Sequence, residues 1–176
     1  MAGKLRRMVA NSVENLECEE IAVADADVLK LNAELSLQLA NYWHEIDVNL
    51  GRNASDYYTE DAEFHGQFAS YHGRAKIQQF YDWRVKQGPR LAVHCFTNFR
   101  AWFTGPDTCE ATNYLFLYAA NGVKVLPTHP PITISLATDR YRRAPDGRWL
   151  CTYRRFEHLF EGDTPITNPK LDDEKK

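Results

Sequence analysis

The sequence predicts an α+β fold, in which a cone-shaped, curved antiparallel sheet wraps over N-terminal helices. In the first half of the chain apolar residues recur at helical spacing, and after Pro89 the period changes to two. Turn signals separate the strand-like runs of the second half, which is typical of consecutive antiparallel strands. A bent sheet packed over helices encloses a cavity with an open mouth, which is a natural site for a small molecule.

The first helix is predicted from about Asp27 to Leu50, and Gly51 ends it. Its apolar residues repeat every three or four positions and therefore share one stripe. These residues are Leu31, Leu35, Leu39, Tyr42, Ile46 and Leu50. Ser55 is predicted to cap a short helical turn.

A brief strand is expected at residues 62–68, followed by a second helix from Gly73 to about Lys86. Four longer strands follow Pro89. They are predicted at residues 91–103, 109–120, 132–143 and 148–160.

The chain has 176 residues and a mass of 20.3 kDa, which indicates a single domain. With 44% hydrophobic and 26% charged residues it has the composition of an ordinary globular protein. We expect an N-terminal arm at residues 1–24, the domain at 25–161 and a solvated C-terminal tail at 162–176.

Charge and hydropathy exclude several function classes. A net charge of −3 and a pI near 6.1 argue against nucleic-acid binding. No run of about 18 apolar residues predicts a membrane span, and no apolar segment follows the basic N-terminus as in a secretory signal. The four cysteines lack CxxC spacing, which fits a reducing cytoplasm.

The histidines are spread over different elements without HxH or HExxH spacing, so no metal site is predicted. A glycine-rich phosphate loop and a GxSxG motif are also absent from the sequence. The Tyr153–His158 run alternates charged and aromatic residues, and we interpret it as a solvated strand face or a subunit contact.

Asp47 and His94 are the two residues whose surroundings are unusual. Asp47 has Trp43 four residues before it and Leu50 three residues after it, so its helical neighbours are apolar. A carboxylate in that position suits a general base or the partner of a histidine. An acid at the edge of the polar helix face is the simpler interpretation.

His94 lies in a strand whose other members are mostly apolar, and both faces of that strand are expected to be buried. A buried imidazole needs partners for its N–H and its lone pair. A hydrogen-bonded core histidine is the commoner explanation for one such residue. A helix packed under a curved sheet can nevertheless bring Asp47 against His94, and such a pair is a general acid–base unit.

The motifs Tyr42–Asp47, Tyr58–Ala62 and His94–Asn98, in this order and spacing, resemble the SnoaL-like branch of the nuclear transport factor 2-like superfamily. The segments Asp139–Arg143 and Asp146–Trp149 resemble the last hairpin of that branch. The resemblance covers residues 27–160. It is to scytalone dehydratase and related lyases, isomerases and polyketide cyclases that use no cofactor.

This resemblance implies that Asp47 and His94 are a catalytic dyad, because in those enzymes an Asp on the first helix and a His on the long strand have that role. The chain also departs from scytalone dehydratase. Ile46 replaces a tyrosine, Asn113 falls where a second histidine is expected, and Thr138 aligns with an asparagine. Scytalone itself is therefore not the expected substrate.

Further candidate substrate-binding residues are Tyr57, Tyr58, His65, Asn113 and Thr138. Phenols donate hydrogen bonds to substrate oxygens, and His65 is a possible second proton donor. A structural role is the simpler interpretation for each tyrosine.

Two functions remain open at this point. The first is a lyase or isomerase that acts without a cofactor on a small, mostly apolar, cyclic substrate. The second is a small-molecule-binding or assembly subunit without catalysis, similar to the small subunit of ring-hydroxylating dioxygenases. A homo-oligomer, dimer or trimer, is expected in both cases, because the outer sheet face carries either Trp102, Phe116 and Tyr118 or the residues that alternate with them.

Overall fold

The structure is a computed structural model that describes residues 25–163. The predicted arm at residues 1–24, and the predicted tail from residue 164 onward, lie outside the described residues. Within the described range no helix is long and apolar enough to cross a membrane.

Helix α1 spans Ala26–Asn49, and the Asp25 carboxylate caps it by accepting a hydrogen bond from the Asp27 amide. The predicted apolar stripe is buried from Leu31 to Tyr42. Its last member differs from the prediction, because Leu50 adopts a left-handed conformation after the helix has ended and is 41% exposed. The Gly51 amide then donates to the Glu45 carbonyl, which closes the helix end.

A 3₁₀ turn at Ala54–Tyr57 follows, and Asn53 precedes it. Ser55 therefore lies inside the turn, and its predicted role as the cap is wrong. Instead, the Ser55 amide donates to the side-chain oxygen of Gln78.

Strands β1 (Tyr58–His65) and β2 (Ser70–His72) form a hairpin where the sequence predicts one short strand. The Gly66 amide donates to the Ala69 carbonyl and so makes the turn between them. Helix α2 spans Arg74–Lys86 and begins after Gly73, whose positive φ of 86° suits glycine.

The long strands confirm the prediction to within two residues at each end. They are β3 (Arg90–Gly105), β4 (Thr108–Asn121), β5 (Thr133–Arg143) and β6 (Trp149–Glu161). The strand order is β2-β1-β6-β5-β4-β3. Strands β3 to β6 pair consecutively and antiparallel as predicted, whereas β1 pairs parallel to β6, so the sheet is mixed.

The two faces of this sheet differ in burial. On β4, Cys109, Ala111, Asn113 and Leu115 are buried and belong to the inner face, which packs over the helices. The alternate residues of β4 lie on the outer face, where Tyr118 is 37% exposed.

Strand β3 is an edge strand, and His94 lies on its inner side. Its neighbours Val93 and Cys95 point outward and are exposed. The prediction that both faces of this strand are buried is therefore wrong. An edge position and solvent on one side explain the difference.

A charged pair lies at the centre of the core. Arg154 and Asp139 are 3% and 0% exposed, and two guanidinium nitrogens donate to the carboxylate at 2.7 and 2.8 Å. Arg154 also donates to the hydroxyls of Tyr58 and Tyr141. The interpretation of this part of β6 as a solvated face is thus wrong for Arg154, because a register shift between Cys151 and Tyr153 turns the Arg154 side chain inward.

Tyrosine hydroxyls extend this polar cluster towards the helices. Tyr58 donates to Tyr42 at 2.8 Å, and Tyr42 shares a hydrogen bond of 2.5 Å with Tyr81. Burial raises the pKa of Tyr58 and of Tyr81 well above the ordinary value. The phenols therefore stay neutral and serve as hydrogen-bond donors and acceptors between α1, α2 and β1.

We predict that Arg154→Met destabilises the protein by about 3–5 kcal/mol, because it leaves the Asp139 carboxylate buried without its counter-charge. Urea unfolding at neutral pH measures this loss. Arg142→Gln is the matched control, since Arg142 pairs with Asp61 on the surface and should contribute less than about 1 kcal/mol. Equal effects of the two substitutions would contradict the assignment.

Candidate active site

Asp47 and His94 lie in direct contact. The Asp47 Oδ1 atom is 2.6 Å from His94 Nδ1, and Asp47 Oδ2 accepts a hydrogen bond of 2.8 Å from the His94 backbone amide. The side chains are 16% and 12% exposed. One carboxylate therefore holds both the ring and the backbone of His94, and it joins the last turn of α1 to the edge strand β3.

This geometry determines the tautomer of the imidazole. An ionised carboxylate only accepts hydrogen bonds, so Nδ1 must carry the proton that it donates to Asp47. The lone pair of the neutral ring then lies on Nε2, which has no hydrogen-bond partner among residues 25–163. An imidazole with a free Nε2 and a carboxylate behind Nδ1 is equipped to accept a proton.

Trp43 fixes the plane of the imidazole. Its ring is stacked on the His94 ring with centroids 4.1 Å apart and planes inclined by 8°. The face of an indole attracts a cation, so this contact stabilises His94 when the ring is protonated. Trp43 lies one helical turn before Asp47, and both therefore come from the same face of α1.

A cavity of about 720 Å³ opens beside the pair. Asp47 and His94 line one part of it, and its walls are mainly apolar. The apolar residues are Ile46, Leu50, Phe80, Val85, Leu91, Leu117, Ala119 and Val123. Its size lies in the range of small-molecule sites, and a mostly apolar wall with a few polar groups is typical of them.

The two candidate tyrosines lie elsewhere. Tyr58 is fully buried in the hydrogen-bonded cluster around Arg154, so the structure gives it a core position instead of a place in the cavity. Tyr57 lines a separate groove of about 530 Å³ between α1 and Trp149. Neither is brought to Asp47 and His94.

His65 contacts Ser70 Oγ at 2.8 Å and Glu63 Oε2 at 2.9 Å on the β1–β2 hairpin. It does not line the cavity beside the Asp47–His94 pair. These two partners account for both ring nitrogens of His65 within the hairpin.

Thr138 and Asn113 have opposite positions on the sheet. Thr138 lies between the buried residues Ala137 and Asp139 and therefore faces outward, away from the cavity beside the Asp47–His94 pair. It became a candidate through its alignment with an asparagine of scytalone dehydratase, which carries no information on burial. Asn113 faces inward and is 2% exposed, and neither its Oδ1 nor its Nδ2 has a hydrogen-bond partner in the structure.

Sequence reasoning missed Trp43 as the residue that fixes the imidazole. The spacing of four residues between Trp43 and Asp47 indicates that both lie on one face of the helix. The sequence does not show that Trp43 stacks on His94, because that contact depends on how α1 packs against β3. Within residues 25–163 no group of three or more His, Cys, Asp or Glu side chains is placed to hold a metal ion.

Comparison with known proteins gives matches only among solved structures, since no protein-family model and no curated protein matches the chain. An NTF2-like protein with a cystatin-like fold from Novosphingobium aromaticivorans aligns with a TM-score of 0.61 at 21% identity, over 78% of this chain and 87% of that protein. The chain has the nuclear transport factor 2-like fold.

Two further solved structures align over nearly their whole length. A putative scytalone dehydratase from Novosphingobium aromaticivorans aligns with a TM-score of 0.68 at 12% identity, over 85% of this chain and 97% of that protein. ActVI-ORFA from Streptomyces coelicolor aligns with a TM-score of 0.63 at 22% identity, over 73% and 98%. The fold that the resemblance implies is confirmed.

We predict that neutral His94 exists as the Nδ1–H tautomer, and that Asp47→Asn inverts it. The backbone N–H of His94 would still donate to the side-chain oxygen at position 47, so the new NH₂ group of that side chain would face Nδ1 of the ring. Because NH₂ donates a hydrogen bond, Nδ1 would have to accept it, and the ring proton would move to Nε2. Long-range ¹H–¹⁵N correlation spectra of the histidine rings distinguish the tautomers. An Nε2–H tautomer in the wild-type protein would contradict the assignment.

Proposed function

We propose that the chain is a lyase or isomerase that uses no cofactor and acts on a small, mostly apolar, cyclic substrate through Asp47 and His94. The observation that carries this proposal is the 2.6 Å contact between the two side chains beside an open, mostly apolar cavity. The likeness to a putative scytalone dehydratase supports the reaction class.

In the proposed reaction His94 Nε2 removes a proton from a carbon next to a substrate carbonyl. The electron pair of the C–H bond moves into the carbonyl, and an enolate forms. Asp47 balances the charge of the imidazolium, and the Trp43 ring lies against its face. In a dehydratase the protonated imidazole then gives its proton to a departing hydroxyl, which leaves as water. In an isomerase it returns the proton to a different atom.

Asn113 is the candidate that orients a substrate oxygen. Its amide is buried on the inner face of β4, and neither polar atom has a partner among residues 25–163. A buried amide without partners costs free energy that a bound carbonyl or hydroxyl would recover. Asn113 does not itself line the cavity, but it lies four residues before Leu117 on the same face, and Leu117 pairs with His94 and lines the cavity.

The alternative is a binding or assembly subunit without catalysis. A cavity packed shut would favour it, because an assembly role needs no room for a ligand. The cavity beside Asp47 and His94 instead has room for a ligand next to both polar side chains, and this supports the enzyme.

We expect wild-type protein to catalyse α-proton exchange of 1-tetralone in D₂O, measured by NMR, or dehydration of 3-hydroxy-1-tetralone to 1-naphthol, measured by fluorescence. Asp47→Asn and His94→Ala should each lower the rate by about 10²-fold or more while the fold is retained, because positioned acid–base groups contribute that much.

His72→Ala is the matched control, since His72 is an exposed residue of β2 outside the cavity. It should keep the wild-type rate. Retention of more than about a tenth of that rate by either dyad variant would refute the dyad. Wild-type protein that accelerates neither reaction would favour the binding subunit.

The homo-oligomer stays a prediction. Trp102 and Tyr118 are 40% and 37% exposed, and together with Phe116 they lie on the outer face of the sheet as expected. We expect a second copy of the chain to cover this face. Size-exclusion chromatography with light scattering should give a dimer or trimer at micromolar concentration, and a strict monomer would contradict the prediction.

A further inference from the structure

Two arginines lie at the part of the cavity wall formed by the end of α2 and the start of β3. Arg84 comes from the last turn of α2, and Arg90 is the first residue of β3. Both donate to the side-chain oxygen of Asn121, at 3.5 and 3.3 Å. Lys124 lines the same cavity. A largely apolar cavity thus has a cationic group of residues, defined here as Arg84, Arg90 and Lys124.

The three cations have no charged partner among residues 25–163, since no carboxylate of that range lies within 4.0 Å of any of them. Surface arginines such as Arg140 and Arg142 are each paired with a carboxylate. The Nε atom of Arg84 is buried and has no hydrogen-bond partner within the same range. Asn121 supplies one neutral oxygen for two guanidinium groups, so most of their donors remain available.

Arg84 and Arg90 are partly buried, so the lack of a nearby negative charge is unfavourable for both guanidinium groups. Burial lowers the pKa of Arg84, and burial together with the nearby Arg84 charge lowers the pKa of Arg90. The negative end of the α2 dipole favours a cation at Arg84, but this does not account for Arg90, which belongs to a strand. An anion between the two guanidinium groups would relieve both the repulsion and the lost hydration.

The position of this group relative to the dyad suits one ligand. Arg90 and His94 are four residues apart on the same face of β3, which places their Cα atoms about 13 Å from each other. Both side chains line the same cavity, whose volume of about 720 Å³ has room for a molecule of two fused rings with a short acidic side chain. Its rings would contact the apolar wall and its acid would reach the arginines.

We infer that the cavity recognises carboxylates: a substrate with an apolar ring system at His94 and a carboxylate held by Arg84 and Arg90. A carboxylate matches the planar donors of guanidinium groups through two oxygens. The inference rests on the proposed function for the orientation of the substrate, since it places the reacting carbon at His94. The recognition of the acid itself is tested by binding alone.

Isothermal titration calorimetry with 2-naphthylacetate and its uncharged amide, 2-naphthylacetamide, tests the inference. Wild-type protein should bind the acid at least tenfold more tightly than the amide, because the two ligands differ in the charge-assisted hydrogen bonds. The preference should fall as salt is added. Equal affinities, or no binding of either compound, would overturn the inference.

Variants assign the preference to the two arginines. Arg84→Gln with Arg90→Gln should bring the ratio of affinities close to one and leave the affinity for the amide within about twofold. Arg90→Lys keeps the charge and should keep part of the preference.

A preference that survives in the double variant would overturn the inference. If the double variant does not fold by circular dichroism, Arg90→Gln alone should still lower the ratio, and an unchanged ratio would overturn it.

Two controls separate this inference from the proposed function. Arg142→Gln removes an arginine that pairs with Asp61 outside the cavity and should leave the ratio unchanged. His94→Ala should abolish turnover but keep the preference for the acid. Loss of the preference in His94→Ala would assign the acid to the imidazole and overturn the role of the arginines. A wild-type protein that prefers the acid but turns over no substrate would leave recognition intact and refute catalysis.

Discussion

The fold depends on the pairing of Arg154 with Asp139 in the core. Taking two charges out of water is costly, and their attraction repays that cost only when the remaining donors and acceptors are also satisfied. Here the guanidinium group reaches the Asp139 carboxylate and two tyrosine hydroxyls, and it lies 4.3 Å from the centre of the Tyr42 ring. The pair thus joins β5 and β6 to β1 and α1, and so fixes how the sheet lies over the helix.

The position of the candidate dyad follows from that packing. Trp43 lies between the two polar sites, with the Arg154 guanidinium carbon 5.5 Å from its ring centroid and the His94 ring stacked against it at 4.1 Å. Asp47 is in the last turn of α1, where the negative end of the helix dipole opposes a carboxylate. Two donors from His94 offset that repulsion. The Asp47 carboxylate therefore depends on its two hydrogen bonds from His94 for a favourable contribution to stability.

The elements that could be predicted from the sequence are those whose signals are local. The stripe from Leu31 to Tyr42 and the alternation of β3 to β6 depend on residues near one another in the chain. The parallel pairing of β1 with β6 depends on about 90 intervening residues and left no such signal. The contact of Asp47 with His94 was predicted from the apolar neighbours of both residues and from the packing of a helix under a sheet, and the resemblance to a known family added the catalytic role. The outward position of Thr138 on β5 could not be predicted, because alignment with a relative does not say which way a side chain points.

The negative and positive side chains of the cavity lie at different parts of its wall, and this separation favours one orientation of a charged ligand. Asp47 carries negative charge at the dyad, and Arg90 of the cationic group begins β3, with its Cα atom about 13 Å from that of His94. A ligand with one acidic end is repelled by the first and attracted by the second, so the two fields together favour a single orientation. The walls between the dyad and the arginines are mostly apolar, so an apolar middle part of the ligand loses no hydrogen bonds when it is buried there. The same separation keeps an acid from competing with Asp47 for the Nδ1 proton of His94, so recognition of an acid and activation of the imidazole are compatible in one cavity.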